Sequence, residues 1–134
     1  MDCVFCKIIE KEIPAQTVFE DKENLAILDI HPSAPGHTIL FPKTHKEFIV
    51  ELTEEEIASL FISVKKVCKK IEEKISPDGF TIGINHGKVS GQEIPHVHVH
   101  IIPRWKNDGG GSIPGIIKNN LKGSLDEIQN KLST

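Results

Sequence analysis

Residues 95–102 read Pro95-His96-Val97-His98-Val99-His100-Ile101-Ile102, and the alternation within them has no exception. A β-strand has a side-chain period of two, so His96, His98 and His100 project to one face and Val97, Val99 and Ile101 to the other. The valine face is what a sheet offers to a packed helix. The imidazole face is foreign to an ordinary apolar core, with rings roughly 6 to 7 Å apart at a rise of about 3.3 Å per residue. Two chemical uses fit such a row. The imidazoles can ligate a metal, or one of them can act as a nucleophile that its neighbours tune. An imidazole attacking phosphorus needs the correct tautomer, donors for the phosphoryl oxygens and an acid for the leaving group.

The residues just before the strand favour phosphate. Asn85-His86-Gly87-Lys88-Val89-Ser90-Gly91-Gln92-Glu93 is a small turn-forming loop. Gly91 allows a close approach of backbone to an anion, and Asn85 and Gln92 offer neutral donors.

Working outward, one long helix is predicted from the capping box Thr53-Glu54-Glu55-Glu56. Its apolar face comprises Ile57, Leu60, Phe61, Val64, Cys68, Ile71 and Ile75, and Pro77 and Gly79 end it. A shorter helix starts at Ser124 and runs towards Leu132. Strands are expected over 17–19, 25–30, 37–41, 80–85 and 95–102, and the first two form a hairpin across Glu20–Asn24. Cys3–Ile9 reads as a helical turn packed on the sheet. Glycines 109–111 and Pro114-Gly115 make 106–123 a loop. Strands, then a helix, then strands imply an α+β domain on a mostly antiparallel five-stranded sheet.

The 134 residues suit one compact domain, with 38% hydrophobic and 26% charged residues. The formal net charge of −3 supplies no footprint for long nucleic acid or an anionic membrane. Three cysteines, no basic-then-apolar leader and no long apolar run lead us to expect a cytoplasmic setting. Seven histidines, beside one Trp and no Tyr, are the unusual feature of the composition. His31 and His86 read as surface residues.

The run His96-Val97-His98-Val99-His100-Ile101-Ile102 resembles the signature of the histidine triad (HIT) superfamily. Phe5-Cys6-Lys7-Ile8-Ile9, Lys11-Glu12-Ile13-Pro14-Ala15 and Phe19-Glu20-Asp21 resemble its N-terminal region and first strand. The central block Asp29-Ile30-x-Pro32-x-Ala34-Pro35-Gly36-His37, with Pro42-Lys43-x-His45, and the pair Gly91-Gln92 agree as well. The resemblance runs from about Cys3 to Arg104, leaving 106–134 as a tail with the short helix. It implies the HIT-like fold and a nucleotide hydrolase or transferase acting at the α-phosphate of a purine nucleotide, AMP joined to another group, with no catalytic cofactor. By position it implies His98 as the nucleophile, His100 on the phosphate and leaving group, and His37 and His96 in support. It implies Asp29 on the ribose, Val4, Phe5, Ile27 and Ile30 around the base, and Asn85, Gly91 and Gln92 around the phosphates. Glu93 stands where the phosphoramidase branch usually has Ser, which leaves the preferred leaving group open. The family also implies a homodimer, and Trp105 is a candidate interface residue. Dinucleoside polyphosphate hydrolysis, a nucleotide-binding regulatory role and a metal-dependent hydrolase with the triad as ligands are the alternatives.

Cys3-x-x-Cys6 has the spacing of half a zinc site. Its competing reading is two reduced cysteines in a short helix. Bacterial relatives imply a structural zinc completed by the positions of His45 and His96. If His96 is such a ligand, the catalytic work narrows to His98, His100 and His37.

Overall fold

The structure is a computed structural model and describes residues 2–133. Three α-helices, α1 (Val4–Ile9), α2 (Glu54–Ile75) and α3 (Leu125–Leu132), accompany five strands. These are β1 (Thr17–Glu20), β2 (Asn24–Leu28), β3 (Thr38–Pro42), β4 (Gly79–Gly83) and β5 (Val99–Arg104). They form one sheet in the order β1-β2-β3-β5-β4, antiparallel at every pairing. The expected α+β class and five-stranded sheet are therefore present. Among the described residues no helix is long and apolar enough to cross a membrane.

The β1–β2 hairpin turns on Asp21, whose carboxylate accepts from the amides of Glu23 and Asn24 at 2.9 and 2.8 Å. That satisfies backbone donors which the ladder leaves unpaired. Helix α2 starts as its sequence predicts: the Thr53 hydroxyl accepts from Glu56 N, and Glu56 returns to Thr53 N. It stops at Ser76, which adopts the left-handed conformation just before Pro77.

The sheet separates two apolar clusters. On one side Leu60, Val64, Val67 and Ile71 of α2 pack on Ala26, Leu40, Val97, Val99 and Ile101. On the other, Cys3 and Phe5 at the start of α1 pack on Leu25, Ile27, Ile39 and Phe41. Opposed residues of an antiparallel pair share a face, so the register Ile39↔His100 puts the histidine row on the α1 side. The buried arc of α2 is shifted from the expected one: Val67 and Ser63 are buried, whereas Phe61 and Ile75 are more than 40% exposed.

The strand expected over 95–102 begins only at Val99. Pro95 has no N–H for a ladder, and His96 N bonds back to Ile94 O at 2.8 Å. Val97 N then donates to Lys46 O at 2.7 Å, outside the sheet. The chain stays extended, so the alternation survives: Val97, Val99 and Ile101 are all in the α2-side core.

Candidate active site

Each imidazole of the row has different partners, and these settle its tautomer. The His98 ring is 7% exposed and its Nδ1–H donates to the carbonyl of His96 at 2.8 Å. Nε2 is therefore the lone pair. Among the described residues no buried side-chain nitrogen or oxygen lacks a partner, so this unbonded Nε2 must surface in the site. Burial lowers the His98 pKa, against the raising effects of the His96 carbonyl and the Asp29 carboxylate. Desolvation wins, and the ring stays neutral.

His100 is ordered from the other side. The amide of Ser33 donates to His37 Nδ1 at 3.0 Å, so the proton of His37 sits on Nε2. That Nε2–H faces His100 Nδ1 at 2.9 Å. His100 must then carry its own proton on Nε2, aimed away from His37. Its pKa is pushed down to about 4, by burial first and by His98 and His37 next, with Asp29 opposing. His37 is lowered for the same leading reason. Its ring meets His100, not His98.

His37 is placed by the turn before β3. Gly36 takes φ +83°, His37 N donates to Ala34 O at 3.1 Å, and Asp29 N donates to His37 O at 2.9 Å. These bonds bring Asp29 Oδ2 to 3.5 Å from His37 Nε2. The second Asp29 oxygen accepts from His31 N at 2.8 Å, which holds the carboxylate at the mouth of the site.

The apolar side is built by α1. Phe5 stacks on Phe41 with centroids 4.3 Å apart and meets the His98 ring edge-on at 5.1 Å. Phe5 and Ile27 are buried and Val4 is half-buried, but Ile30 is 83% exposed. Ile30 follows the end of β2 and stands at the rim instead of walling a closed pocket. His31 and His86 are exposed, as expected, and His86 stacks on Phe48 at 4.7 Å.

The loop before the triad departs from its expected role at Gln92. The amide nitrogen of Gln92 donates to Glu47 O and Ile94 O at 2.9 and 3.1 Å, and its oxygen accepts from Gly87 N at 2.8 Å. Both N–H donors meet carbonyls inside the protein, so in this structure Gln92 clamps the loop. Asn85 is half-buried beside Gly91, which adopts φ +104°, and Glu93 is exposed.

The His96 ring, fully buried, turns away from His98 and His100. Its Nε2–H donates to Pro42 O at 2.7 Å, which presents the Nδ1 lone pair to Cys3 Sγ at 3.4 Å, Cys6 Sγ at 3.7 Å and His45 Nδ1 at 3.2 Å. Cys6 Sγ and His45 Nδ1 are 3.3 Å apart. All four ligand atoms lie within 4.8 Å of one another. Tetrahedral zinc with usual bond lengths has edges of about 3.3 Å between two nitrogens and about 3.6 Å between sulfur and nitrogen. The S2N2 donor set and these spacings fit zinc. A carbonyl fixing the far nitrogen of a ligating histidine is the usual supporting contact. The three triad imidazoles, by contrast, are not brought together as one ligand set.

A histidine row on a five-stranded antiparallel sheet, backed by a fourth histidine, defines the class, and the HIT domain family matches residues 10–107. The chain belongs to the HIT family. It is 45% identical over 126 residues to an uncharacterized HIT-like protein of Methanocaldococcus jannaschii, covering 94% of this chain and 95% of that one. It is 36% identical over 137 residues to an adenosine 5'-monophosphoramidase of Schizosaccharomyces pombe, covering 98% and 99%. A crystal structure of a HIT family member from Bacillus subtilis superposes with a TM-score of 0.85 at 38% identity, covering 98% and 93%. A zinc-bound histidine triad family protein from Mycobacterium smegmatis gives 0.76 at 37% identity, covering 81% and 78%.

Proposed function

We propose that this protein hydrolyses purine nucleotides of the AMP–X type at the α-phosphate through a covalent nucleotidyl–His98 intermediate. The observation that carries the reading is the orientation of His98, a neutral imidazole with Nδ1 pinned and Nε2 open. In the first step Nε2 bonds to the α-phosphorus, the P–X bond breaks, and X leaves with the bonding pair and a proton taken from solvent. In the second, water adds its oxygen to phosphorus and releases a proton to solvent, the N–P bond breaks, AMP leaves, and neutral His98 is restored. His100 Nε2–H, held in that tautomer by His37, donates a hydrogen bond to the phosphoryl oxygen or to the departing atom of X. Asp29 accepts from the ribose hydroxyls, and Phe5 and Ile27 flank the base. The similarity to the Schizosaccharomyces pombe adenosine 5'-monophosphoramidase supports this substrate class.

The same reading takes Cys3, Cys6, His45 and His96 as ligands of a structural zinc, which the zinc-bound mycobacterial relative supports. Zinc bound there would cross-link α1 to the chain around His45 and His96. It also takes the protein as a cytoplasmic homodimer. β4 is an edge strand and its Ile82 is exposed, which supports edge-to-edge pairing.

The test is to incubate the protein with AMP–X carrying label in the adenosine, quench in alkali to preserve a phosphoramidate, and map the adduct. Attachment at His98 is expected, and attachment at any other residue sinks the mechanism. A panel of adenosine phosphoramidates against diadenosine polyphosphates then ranks the leaving groups.

A further inference from the structure

We infer that the Cys3–Cys6–His45–His96 cluster is a positioning device for the nucleophile and the nucleotide pocket, beyond any role in stability. The inference rests on the nucleotide reading above. Three connections carry it.

The first runs through His96. Its ring is fixed at both nitrogens, by Pro42 O and by the cluster, and its carbonyl is the acceptor that pins His98 Nδ1–H. A shift of the His96 ring moves that acceptor, only two residues from the nucleophile. The second runs through Phe5, which lies between the two cysteines in α1. The Phe5 ring touches the edges of both His96 and His98 and stacks on Phe41. α1 has six residues, and its N-cap, Cys3, makes no side-chain capping bond. So short a helix does not hold its own geometry, and its anchors are Phe5 with Val4, Ile8 and Ile9 packed on the sheet and the two cysteines. The third runs through residues 45–47. His45 is in the cluster, Lys46 O accepts from Val97 N, and Glu47 O accepts from Gln92. One short segment therefore joins the cluster to the histidine strand and to the clamp of the loop before it.

With metal captured by the cluster, these connections hold His98 in the tautomer with Nε2 open and hold Phe5 against the base pocket. Without it, only the sulfur–imidazole contacts at 3.4 and 3.7 Å join Cys3 and Cys6 to His96, and both settings loosen. His45 is thereby assigned as a positioning residue.

The experiment compares zinc-loaded protein, protein depleted by a chelator, and depleted protein reloaded with zinc. Circular dichroism checks folding, calorimetry measures AMP affinity, and nitrogen-15 spectra of the histidine rings report the tautomer of His98. The expected result is a folded depleted protein that binds AMP about tenfold or more weakly, shows mixed His98 tautomers, and recovers on reloading. A folded depleted protein with unchanged AMP affinity and an unchanged His98 ring overturns the inference. Should depletion unfold the chain, zinc-loaded His45→Cys decides, because His45 meets Cys6 and His96 within the cluster. A full zinc content with weakened AMP binding and a perturbed His98 signal supports the coupling, and wild-type values for both refute it. If zinc-loaded wild type fails to bind AMP, the nucleotide reading falls, and the His98 spectrum alone then judges the coupling.

Discussion

The Nδ1–H of His98 donates to the carbonyl oxygen of His96 at 2.8 Å, so the row of alternating histidines supplies its own tautomer control through the backbone. The chain geometry of an extended segment places a carbonyl two residues upstream of the ring it holds. Only one ring nitrogen then remains for chemistry. Replacing the ring by a group of similar polarity but no nucleophilic nitrogen, as in His98→Asn, should leave the fold intact. We expect kcat for AMP–X hydrolysis to fall on the order of a thousandfold or more. Steady-state assays with melting curves check this, and a variant retaining a tenth of wild-type kcat rules out the covalent route.

His37 acts one ring further back. Its Nε2–H is the donor that leaves His100 Nδ1 without a proton, and Ser33 N–H keeps His37 in that state. In His37→Ala, His100 is released to put its proton on either nitrogen. Loss of an oriented acid typically costs about 10²- to 10⁴-fold, so kcat should fall within that range while KM changes little. A variant whose loss lies wholly in KM would show that His37 binds substrate instead of orienting His100.

The depressed pKa of His100 has a thermodynamic counterpart. Its ordinary value is 6.5 and its folded value is about 4, set chiefly by burial. Between those values the unfolded chain binds a proton that the folded chain does not. The stability associated with neutral His100 is thus complete above pH 6.5 and is lost as pH falls towards about 4. The melting temperature of wild type should decline across this window, and that of His100→Asn should decline less steeply. Parallel profiles would contradict the assignment. His37, lowered for the same leading reason, acts in the same direction.

Much of this site was readable in residue order because period-two alternation is a property of any extended chain. It separated Val97, Val99 and Ile101 from the histidines even where 95–98 leaves the ladder. The pairing of Cys3 and Cys6 with His45 and His96 came through the family resemblance and agrees with the side-chain geometry. What residue order could not show is where groups converge from distant segments. The inward turn of Gln92 depends on Glu47 O and Gly87 N meeting beside it, and neither is visible in a local pattern. The displaced arc of α2 has a similar origin. Its apolar positions from Ile57 to Ile75 span more of the helix than the sheet covers, so the sheet chose Val67 over Phe61.

Gln92 supplies a prediction that separates a clamp from a phosphate ligand. Gln92→Glu keeps the size of the side chain but turns two donors into acceptors facing Glu47 O and Ile94 O. Leaving such buried groups unpaired costs about 1–3 kcal/mol. The variant should melt at a lower temperature in the absence of nucleotide. A normal melting temperature with impaired AMP binding would instead restore Gln92 as a direct ligand.

Gly36 ties the backbone to the same machinery. At φ +83° an alanine is strained, and its Cβ would sit 2.7 Å from Ile75 Cδ1 and 3.3 Å from Pro103 Cγ. Ile75 is 44% exposed, so the end of its side chain can swing aside, whereas the backbone cannot. Strain is therefore the larger effect. Gly36→Ala should cost about 1–2 kcal/mol, the usual penalty for a left-handed non-glycine residue. Adding Ile75→Val removes the Cδ1 atom and should recover only a minor part of that loss. The turn also carries Ala34 O to His37 N and His37 O to Asp29 N, so kcat should fall along with stability. Denaturant unfolding of both variants checks the partition. If Ile75→Val restores wild-type stability to Gly36→Ala, the contact and not the backbone governs this turn.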